Sequence, residues 1–87
     1  MTRLAPLRQE IDALDEVILS AFVKRMALAK EISRIKKEED LPTLQPGREE
    51  EVLRRARTLA GDDLAPYAEE LLKTLMGLSR AYQEELR

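Results

Sequence analysis

Cysteine and histidine are both absent from this chain of 87 residues. Without cysteine there is no disulfide framework and no thiolate nucleophile, and without either residue zinc sites of the Cys/His type are excluded. Histidine is also the commonest general base and transition-metal ligand in proteins. Any chemistry must therefore depend on arginine, lysine, carboxylate, amide or hydroxyl side chains, and we predict no metal site.

The chain also lacks an excess of one charge and a long apolar run. Its formal net charge is −2 with both signs mixed along the sequence, which is not the basic excess typical of nucleic-acid-binding proteins. No apolar stretch approaches the roughly 20 residues of a membrane-spanning helix, and charges interrupt the N-terminal residues where a secretory signal is apolar. We therefore predict one cytoplasmic domain over residues 1–87, with no membrane or nucleic-acid partner.

Glycine and proline are few, and their positions divide the chain into three predicted helices. The long stretch between Pro6 and Pro42 contains neither residue and is rich in good helix formers. The predicted helices cover about residues 5–39, 46–60 and 64–86. Because strand-like alternation is missing, the predicted fold class is all-α, with three helices of which the first is very long.

The segments between these predicted helices contain residues that are typical of helix starts and helix ends. Pro46 suits the first turn of the second helix, because an N–H group has no helical partner there. Gly61 suits the position just past the end of that helix, and Asp62 or Asp63 is predicted to cap the third helix.

The first helix is too long for a domain of this size. At 1.5 Å per residue it measures about 50 Å, whereas compact-domain scaling gives a radius of gyration of about 12 Å. Its apolar residues follow alternating steps of three and four, which is the spacing of a heptad seam. Such a helix needs a partner, and self-association can cover what the other two helices leave exposed. The seam comprises Leu4, Leu7, Ile11, Leu14, Ile18, Ala21, Leu28, Ile32 and Ile35.

Arg25 interrupts this apolar seam. An unpaired guanidinium at a buried position costs several kcal/mol. Arg25 should therefore either form an ion pair with a nearby carboxylate, which is the commoner arrangement, or face a cavity that receives an anion.

Arg8 and Lys36 extend this expectation to a dimer. Lys36 lies about three helical turns beyond Arg25 and projects on nearly the same side. Arg8 is about 42 Å from Lys36 along one helix, so a single chain cannot bring both to one ligand. Two chains packed antiparallel around the middle of the helix can do so. The spacing thus favours an intertwined antiparallel homodimer with two basic pockets, although each of these charges alone is more often a solvated surface group.

The second and third helices offer further polar candidates. Ser79 and Gln83 are four residues apart and share a helix face beside apolar positions. Arg48 and Glu49 lie in the first turn of the second helix, where a carboxylate gains from the helix dipole. From spacing alone, an ordinary surface position is the simpler interpretation of all four.

Three segments of the chain, in order, resemble the all-α (AroQ-class, type II) chorismate mutases. They are residues 7–15 (LRQEIDALD), residues 23–36 (beginning VKRMALAKEI and ending IK) and residues 42–53 (PTLQPGREEEVL). The resemblance covers nearly the whole chain. It implies three helices, an antiparallel homodimer and the rearrangement of chorismate to prephenate in aromatic amino-acid biosynthesis.

The resemblance also implies a role for each candidate residue. Arg25 matches the arginine that binds a substrate carboxylate from its own subunit, and Arg8 matches the arginine that reaches into the neighbouring subunit's site. Lys36 matches the lysine that contacts the ether oxygen and a carboxylate, and Gln83 matches the second donor to that oxygen. The remaining matches are Glu49 for the residue that holds the ring hydroxyl, Arg48 for the arginine beside it, and Ser79 for a serine near the substrate carboxylate.

Gln45 departs from the family pattern, since many relatives have Asp at this position, where it helps to hold the ring hydroxyl. Gln45 either replaces that contact through its amide or weakens it. The implied reaction needs no nucleophile, external base, metal or cofactor. It needs only donors that orient the dianionic substrate and stabilise charge on the ether oxygen.

Three alternatives stay open at this point. Isochorismate–pyruvate lyase uses the same fold on a near-identical dianion, and the products separate the two reactions. A non-catalytic regulatory or dimerisation module of a shikimate-pathway enzyme is also compatible with the sequence, as is association with such an enzyme. A purely structural helical hairpin leaves Arg25 unexplained and predicts that Arg25→Leu is stabilising.

Gln83 gives a prediction about pH. An amide donates a hydrogen bond at any pH, whereas a carboxyl group at the same position donates only when protonated. We expect the rate of prephenate formation to be flat from about pH 5 to 8, and that of Gln83→Glu to fall as pH rises through this range. The two pH–rate profiles are the measurement. A steep loss of activity with rising pH in the unsubstituted chain would contradict Gln83 as the ether-oxygen donor.

Overall fold

The computed structural model describes residues 2–87, which fold into three α-helices. Helix α1 spans Leu4–Glu38, α2 spans Pro46–Ala60 and α3 spans Ala65–Glu85. Within residues 2–87 there is no strand, so the predicted all-α fold class is confirmed. The predicted helix bounds differ from the observed ones by one residue at most.

The sequence signals for the ends of α2 are confirmed. Pro46 lies in the first turn of α2, and Gly61 follows its last residue and donates its N–H to a carbonyl of the last turn. The predicted aspartate cap of α3 is wrong. Leu64 occupies that position without a side-chain hydrogen bond, because a turn over residues 62–64 places Asp62 and Asp63 before it.

The end of α1 turns the chain back towards the helix. Asp40 has a φ of 56°, in the left-handed region that aspartate tolerates better than most residues. The N–H of Leu41 donates to the carbonyl of Lys36 over 2.7 Å, and the N–H of Asp40 donates to that of Lys37 over 3.3 Å. These two bonds form a Schellman motif, so the loop between α1 and α2 lies against the last turns of α1.

Helix α3 packs against both α1 and α2, and the apolar core at these two contacts is small. Across residues 2–87, the buried apolar side chains are those of Ala29, Ala56 and Met76, one from each helix. No helix in this range is long and apolar enough to cross a membrane.

The N-terminal half of α1 extends away from the other two helices. The chain measures 57 × 27 × 15 Å and has a radius of gyration of 16.2 Å, larger than the value of about 12 Å expected for a compact domain of this length. Leu7, Ile11, Leu14 and Ile18 each expose more than half of their surface. A single chain therefore leaves this part of the heptad seam without a partner.

Gly61 gives a prediction about stability. Its φ of 84° and ψ of 164° form a combination that is open essentially only to glycine. No atom lies within 4 Å of the place where a Cβ would stand, so the cost of Gly61→Ala is conformational and not steric. We expect this substitution to lower the free energy of unfolding by about 1–2 kcal/mol, measured by chemical denaturation.

Gly47→Ala is the matched control. A Cβ at Gly47 also meets nothing within 4 Å, but the residue lies in the first turn of α2 and its φ is not positive. Alanine there has less freedom in the unfolded chain and a higher helix propensity, so the change should be neutral or stabilising by up to about 1 kcal/mol. Equal effects of the two substitutions would contradict the conformational explanation.

Candidate active site

A cavity of about 320 Å³ lies where the three helices and the loop between α1 and α2 meet. Its apolar wall includes Leu28, Ile32, Val52 and Met76. The structure brings seven of the predicted site residues together around it: Arg25, Lys36, Gln45, Arg48, Glu49, Ser79 and Gln83.

Arg8 is the predicted site residue that does not line this cavity. It lies in the exposed N-terminal part of α1, within the portion that extends away from α2 and α3. Arg8 was predicted to contribute to the pocket of a second chain, and its absence from the cavity lining of its own chain is compatible with that prediction. The role of Arg8 stays a prediction.

Arg25 faces the cavity and has no acidic partner. It is half-buried, and its Nη1 donates to the backbone carbonyl of Leu75 in α3 over 3.4 Å. Within residues 2–87, no carboxylate forms an ion pair with it. Of the two expectations for this arginine, the local ion pair is therefore wrong, and its guanidinium keeps most of its five N–H donors for an anion.

Lys36 is held by two hydrogen bonds from its ammonium group. Its Nζ donates to the carbonyl of Thr43 in the loop over 2.6 Å and to Oε1 of Gln83 in α3 over 3.1 Å. An ammonium group has three protons, so one is left for a ligand. Burial lowers the pKa of Lys36, the nearby carboxylate of Glu49 raises it, and the positive charge of Arg87 lowers it further.

Gln83 is buried, and its neighbours fix the orientation of its amide. Because the Lys36 ammonium can only donate, the amide oxygen must face Lys36. The amide nitrogen then faces Ser79 and donates to its Oγ over 3.0 Å, which leaves a second N–H for the cavity. The backbone carbonyl of Gln83 accepts from the hydroxyl of the buried Ser33 over 3.4 Å, which fastens this part of α3 to α1.

The acidic group of the cavity lining belongs to α2. Glu49 in α2 forms an ion pair with Arg80 in α3. Gln45 donates its amide N–H to the carbonyl of Pro42 over 3.0 Å, within the loop. Arg48 pairs with the exposed Glu51 over 2.7 Å, so its guanidinium is drawn towards solvent.

The cavity has an excess of positive charge. Its lining contains four basic side chains, those of Arg25, Lys36, Arg48 and Arg80, and one carboxylate, that of Glu49. Within residues 2–87, no three acidic side chains come close enough together to hold a metal ion. The arrangement suits a small organic anion with more than one negative charge, bound by guanidinium and ammonium donors.

Three residues that contribute to the cavity or its support were not found from the sequence. They are Arg80, Thr43 and Arg87, whose guanidinium donates to Oγ1 of Thr43 over 2.7 Å and to the carbonyl of Leu41 over 3.2 Å. Arg80 lies three residues before Gln83, and Arg87 lies four residues after it. Arg80, Gln83 and Arg87 therefore share one face of α3 or of its continuation. Helical spacing from Gln83 was the signal that would have found both arginines.

Comparison with known proteins gives a family match over most of the chain. A family model described as chorismate mutase type II matches residues 7–84. The chorismate mutase of Methanocaldococcus jannaschii is 37% identical over 66% of this chain and 58% of its own length. The 4-amino-4-deoxychorismate mutase of Streptomyces venezuelae is 41% identical over 68% of this chain and 57% of its own length.

A solved structure has the same helix arrangement. A conserved hypothetical protein from Pyrococcus furiosus superposes with a TM-score of 0.81 at 38% identity, covering 95% of this chain and 97% of that chain. The chain spans only 15% to 58% of the length of the curated relatives that it matches.

Lys36 gives a prediction that needs no knowledge of the ligand. The pKa of its ammonium group should lie below the ordinary lysine value of 10.5, since burial disfavours the charged form. Arg87→Gln should raise this pKa by removing a nearby positive charge, and Glu49→Gln should lower it by removing a negative one. An NMR titration of the Lys36 side chain measures all three values.

Arg34→Gln is the control for this titration. It removes a cation from the exposed side of α1, where Arg34 pairs with Glu31 and Glu38, and should leave the pKa of Lys36 where it is. A pKa of Lys36 at or above the ordinary value would contradict its burial. Shifts of the same sign in Arg87→Gln and Glu49→Gln would contradict the charge arrangement.

Proposed function

The chain belongs to the chorismate mutase type II family, and from this we propose that it converts chorismate to prephenate. The observation that carries the proposal is the Arg25 guanidinium, which interrupts an apolar seam, faces the cavity and lacks an acidic partner within residues 2–87. Removing a cation from water without an acidic partner is costly, even when burial is partial, and a bound anion offsets that cost. A dianionic substrate supplies that anion.

The proposed reaction is a one-step [3,3] rearrangement. The ether C–O bond of chorismate breaks while a new C–C bond forms between the enolpyruvyl side chain and the ring, so no group of the protein is consumed. The site has two tasks. It holds the side chain folded over the ring, which is an orientation effect, and it stabilises the negative charge that develops on the ether oxygen.

Lys36 and Gln83 are the proposed donors to the ether oxygen. One ammonium proton of Lys36 and one amide proton of Gln83 are not used in the hydrogen bonds that hold these side chains to Thr43, Ser79 and each other. Because those bonds exist before the substrate arrives, the donors need little reorganisation in the transition state. The hydrogen bond that Lys36 donates to Gln83 supports the proposal, because it keeps the two proposed donors next to each other.

Arg25 is the proposed partner of a substrate carboxylate, with Ser79 beside it. A planar guanidinium binds a carboxylate through two parallel hydrogen bonds, which fixes its orientation as well as its position. Glu49 is the proposed acceptor from the ring hydroxyl. Gln45 and Arg48 lie next to Glu49 on the same wall and complete the proposed binding set.

We propose that the working unit is an antiparallel homodimer, in which Arg8 of the partner subunit completes each cavity. Two features of the single chain support this arrangement. The seam residues Leu7, Ile11 and Leu14 each expose more than half of their surface, and Arg8 lies between them on the same stretch of α1. In the proposed isologous contact, burial of this seam brings Arg8 against the second chain. A cytoplasmic location and an association with another shikimate-pathway enzyme stay predictions.

Turnover of chorismate tests the proposal. The decay of chorismate absorbance with purified protein, followed by identification of the product, should show prephenate, and Arg25→Ala should lower the rate about a hundredfold or more because a preorganised cation is lost. Salicylate and pyruvate from isochorismate would place the chain among the lyases instead. Turnover of neither compound would leave a binding or regulatory module.

Mixed dimers test whether Arg25 of one chain and Arg8 of the partner chain act in the same site. Arg8→Ala and Arg25→Ala should each lose nearly all activity. After the two variants are unfolded and refolded together, they form mixed dimers in which one of the two sites is intact. Statistical mixing then restores about a quarter of the unsubstituted activity. No restoration, or a monomer by sedimentation at micromolar concentration, would contradict the shared site.

A further inference from the structure

We propose that Arg80 is a specificity-determining residue, which neutralises Glu49 so that the site accepts a hydroxyl and rejects an ammonium group on the substrate ring. This inference rests on the proposed function, because it concerns the ring substituent that Glu49 is proposed to hold. It adds a residue that no part of the sequence analysis selected.

The contact between Arg80 and Glu49 joins two helices at the cavity. Arg80 Nη1 in α3 pairs with Glu49 Oε2 in α2, and the two side chains are 36% and 25% exposed, respectively. Both residues line the cavity, so this ion pair belongs to its wall. Partial burial keeps the pair from full solvent screening, and the carboxylate charge is offset locally by the guanidinium.

Glu49 also lies close enough to a second cation for their charges to interact. Its carboxylate raises the pKa of Lys36, against the larger lowering that burial causes. Within the described residues, the one carboxylate of the cavity lining therefore interacts with two positive groups, those of Arg80 and Lys36. It can still accept a hydrogen bond through Oε1, but it offers little negative potential to a third cation.

Gln45 adds no negative charge to the part of the cavity wall that contains Glu49. Its side chain is a neutral amide, which donates one of its two N–H groups to the carbonyl of Pro42. The amide oxygen can accept a hydrogen bond but cannot compensate a charge. No other acidic side chain is present in the lining of the cavity as described within residues 2–87.

The consequence for the ring substituent follows from these charges. A hydroxyl group donates one hydrogen bond to the free oxygen of Glu49 and introduces no charge. An ammonium group at the same place meets a carboxylate that is already paired with Arg80 and lies near the ammonium group of Lys36. Placing like charges together in a partly desolvated site is strongly unfavourable, so the ammonium compound is rejected by repulsion.

Arg80 also has a structural role, since its ion pair links α2 and α3. Loss of that role alone would lower the activity towards all substrates in the same proportion. A charge effect on the ring substituent changes the ratio between two substrates that differ only in that substituent. The ratio of kcat/KM values is therefore the readout that separates the two roles.

The test compares chorismate with 4-amino-4-deoxychorismate on the purified full chain. The unsubstituted chain should prefer chorismate by about a hundredfold or more in kcat/KM, and Arg80→Met should reduce that preference at least about tenfold. Arg80→Lys keeps the charge and should keep the preference.

Arg57→Met is the matched control. Arg57 forms an ion pair with Glu69 that also links α2 to α3, but neither residue lines this cavity. Arg57→Met removes an ion pair between α2 and α3, as Arg80→Met does, but it should leave the preference for chorismate unchanged. Gln45→Asp is the second variant, because it adds a carboxylate without removing any helix–helix contact and should shift the preference in the same direction as Arg80→Met.

Each outcome decides the proposal. A preference that falls in Arg80→Met and Gln45→Asp but not in Arg57→Met supports it. A preference that stays unchanged in Gln45→Asp and in folded Arg80→Met overturns the role of Arg80 and leaves the proposed function intact. An unsubstituted chain that turns over neither compound overturns the proposed function, and the role of Arg80 with it.

Discussion

The hydrogen bonds of the Lys36 ammonium group hold the parts of the cavity in place. Lys36 belongs to α1, and it donates to Thr43 in the loop and to Gln83 in α3. Charge-assisted bonds of this kind are stronger than neutral ones, and they offset the loss of water around a partly buried ammonium. The orientation of the Gln83 amide, and through it the hydrogen bond to Ser79, follows from the fact that Lys36 can only donate.

A second constraint comes from the length of α1. Only Ala29 among its apolar residues is buried within one chain, whereas Leu14, Ile18 and Leu28 remain largely exposed. The same helix carries Arg25 and Lys36 at the cavity. Stability and proposed function are therefore linked, because the proposed dimer that covers the seam also completes the pocket. A shorter first helix would lose both together.

The site was predictable to the extent that its residues disturb a local pattern. Arg25 was found because it breaks an apolar heptad, and Lys36 because three helical turns bring it to nearly the same side. Ser79, Gln83, Arg48 and Glu49 show only a spacing that ordinary surface residues share, and Gln45 breaks no local pattern. The resemblance to a family was needed to assign these five residues to the site. The resemblance selected neither Arg80 nor Arg87, although both lie on the helix face that contains Gln83 or on its continuation.

The sequence by itself determined the three helices and most of their ends, because proline, glycine and helical periodicity act over a few residues. It did not determine the cap of α3, since a turn placed Asp62 and Asp63 too early. Only the tertiary structure decided which charges meet. Glu49 and Arg80 are 31 residues apart, and Thr43 and Arg87 are 44 apart. Their pairing depends on how helices cross, which packing over the whole chain sets and local sequence does not encode.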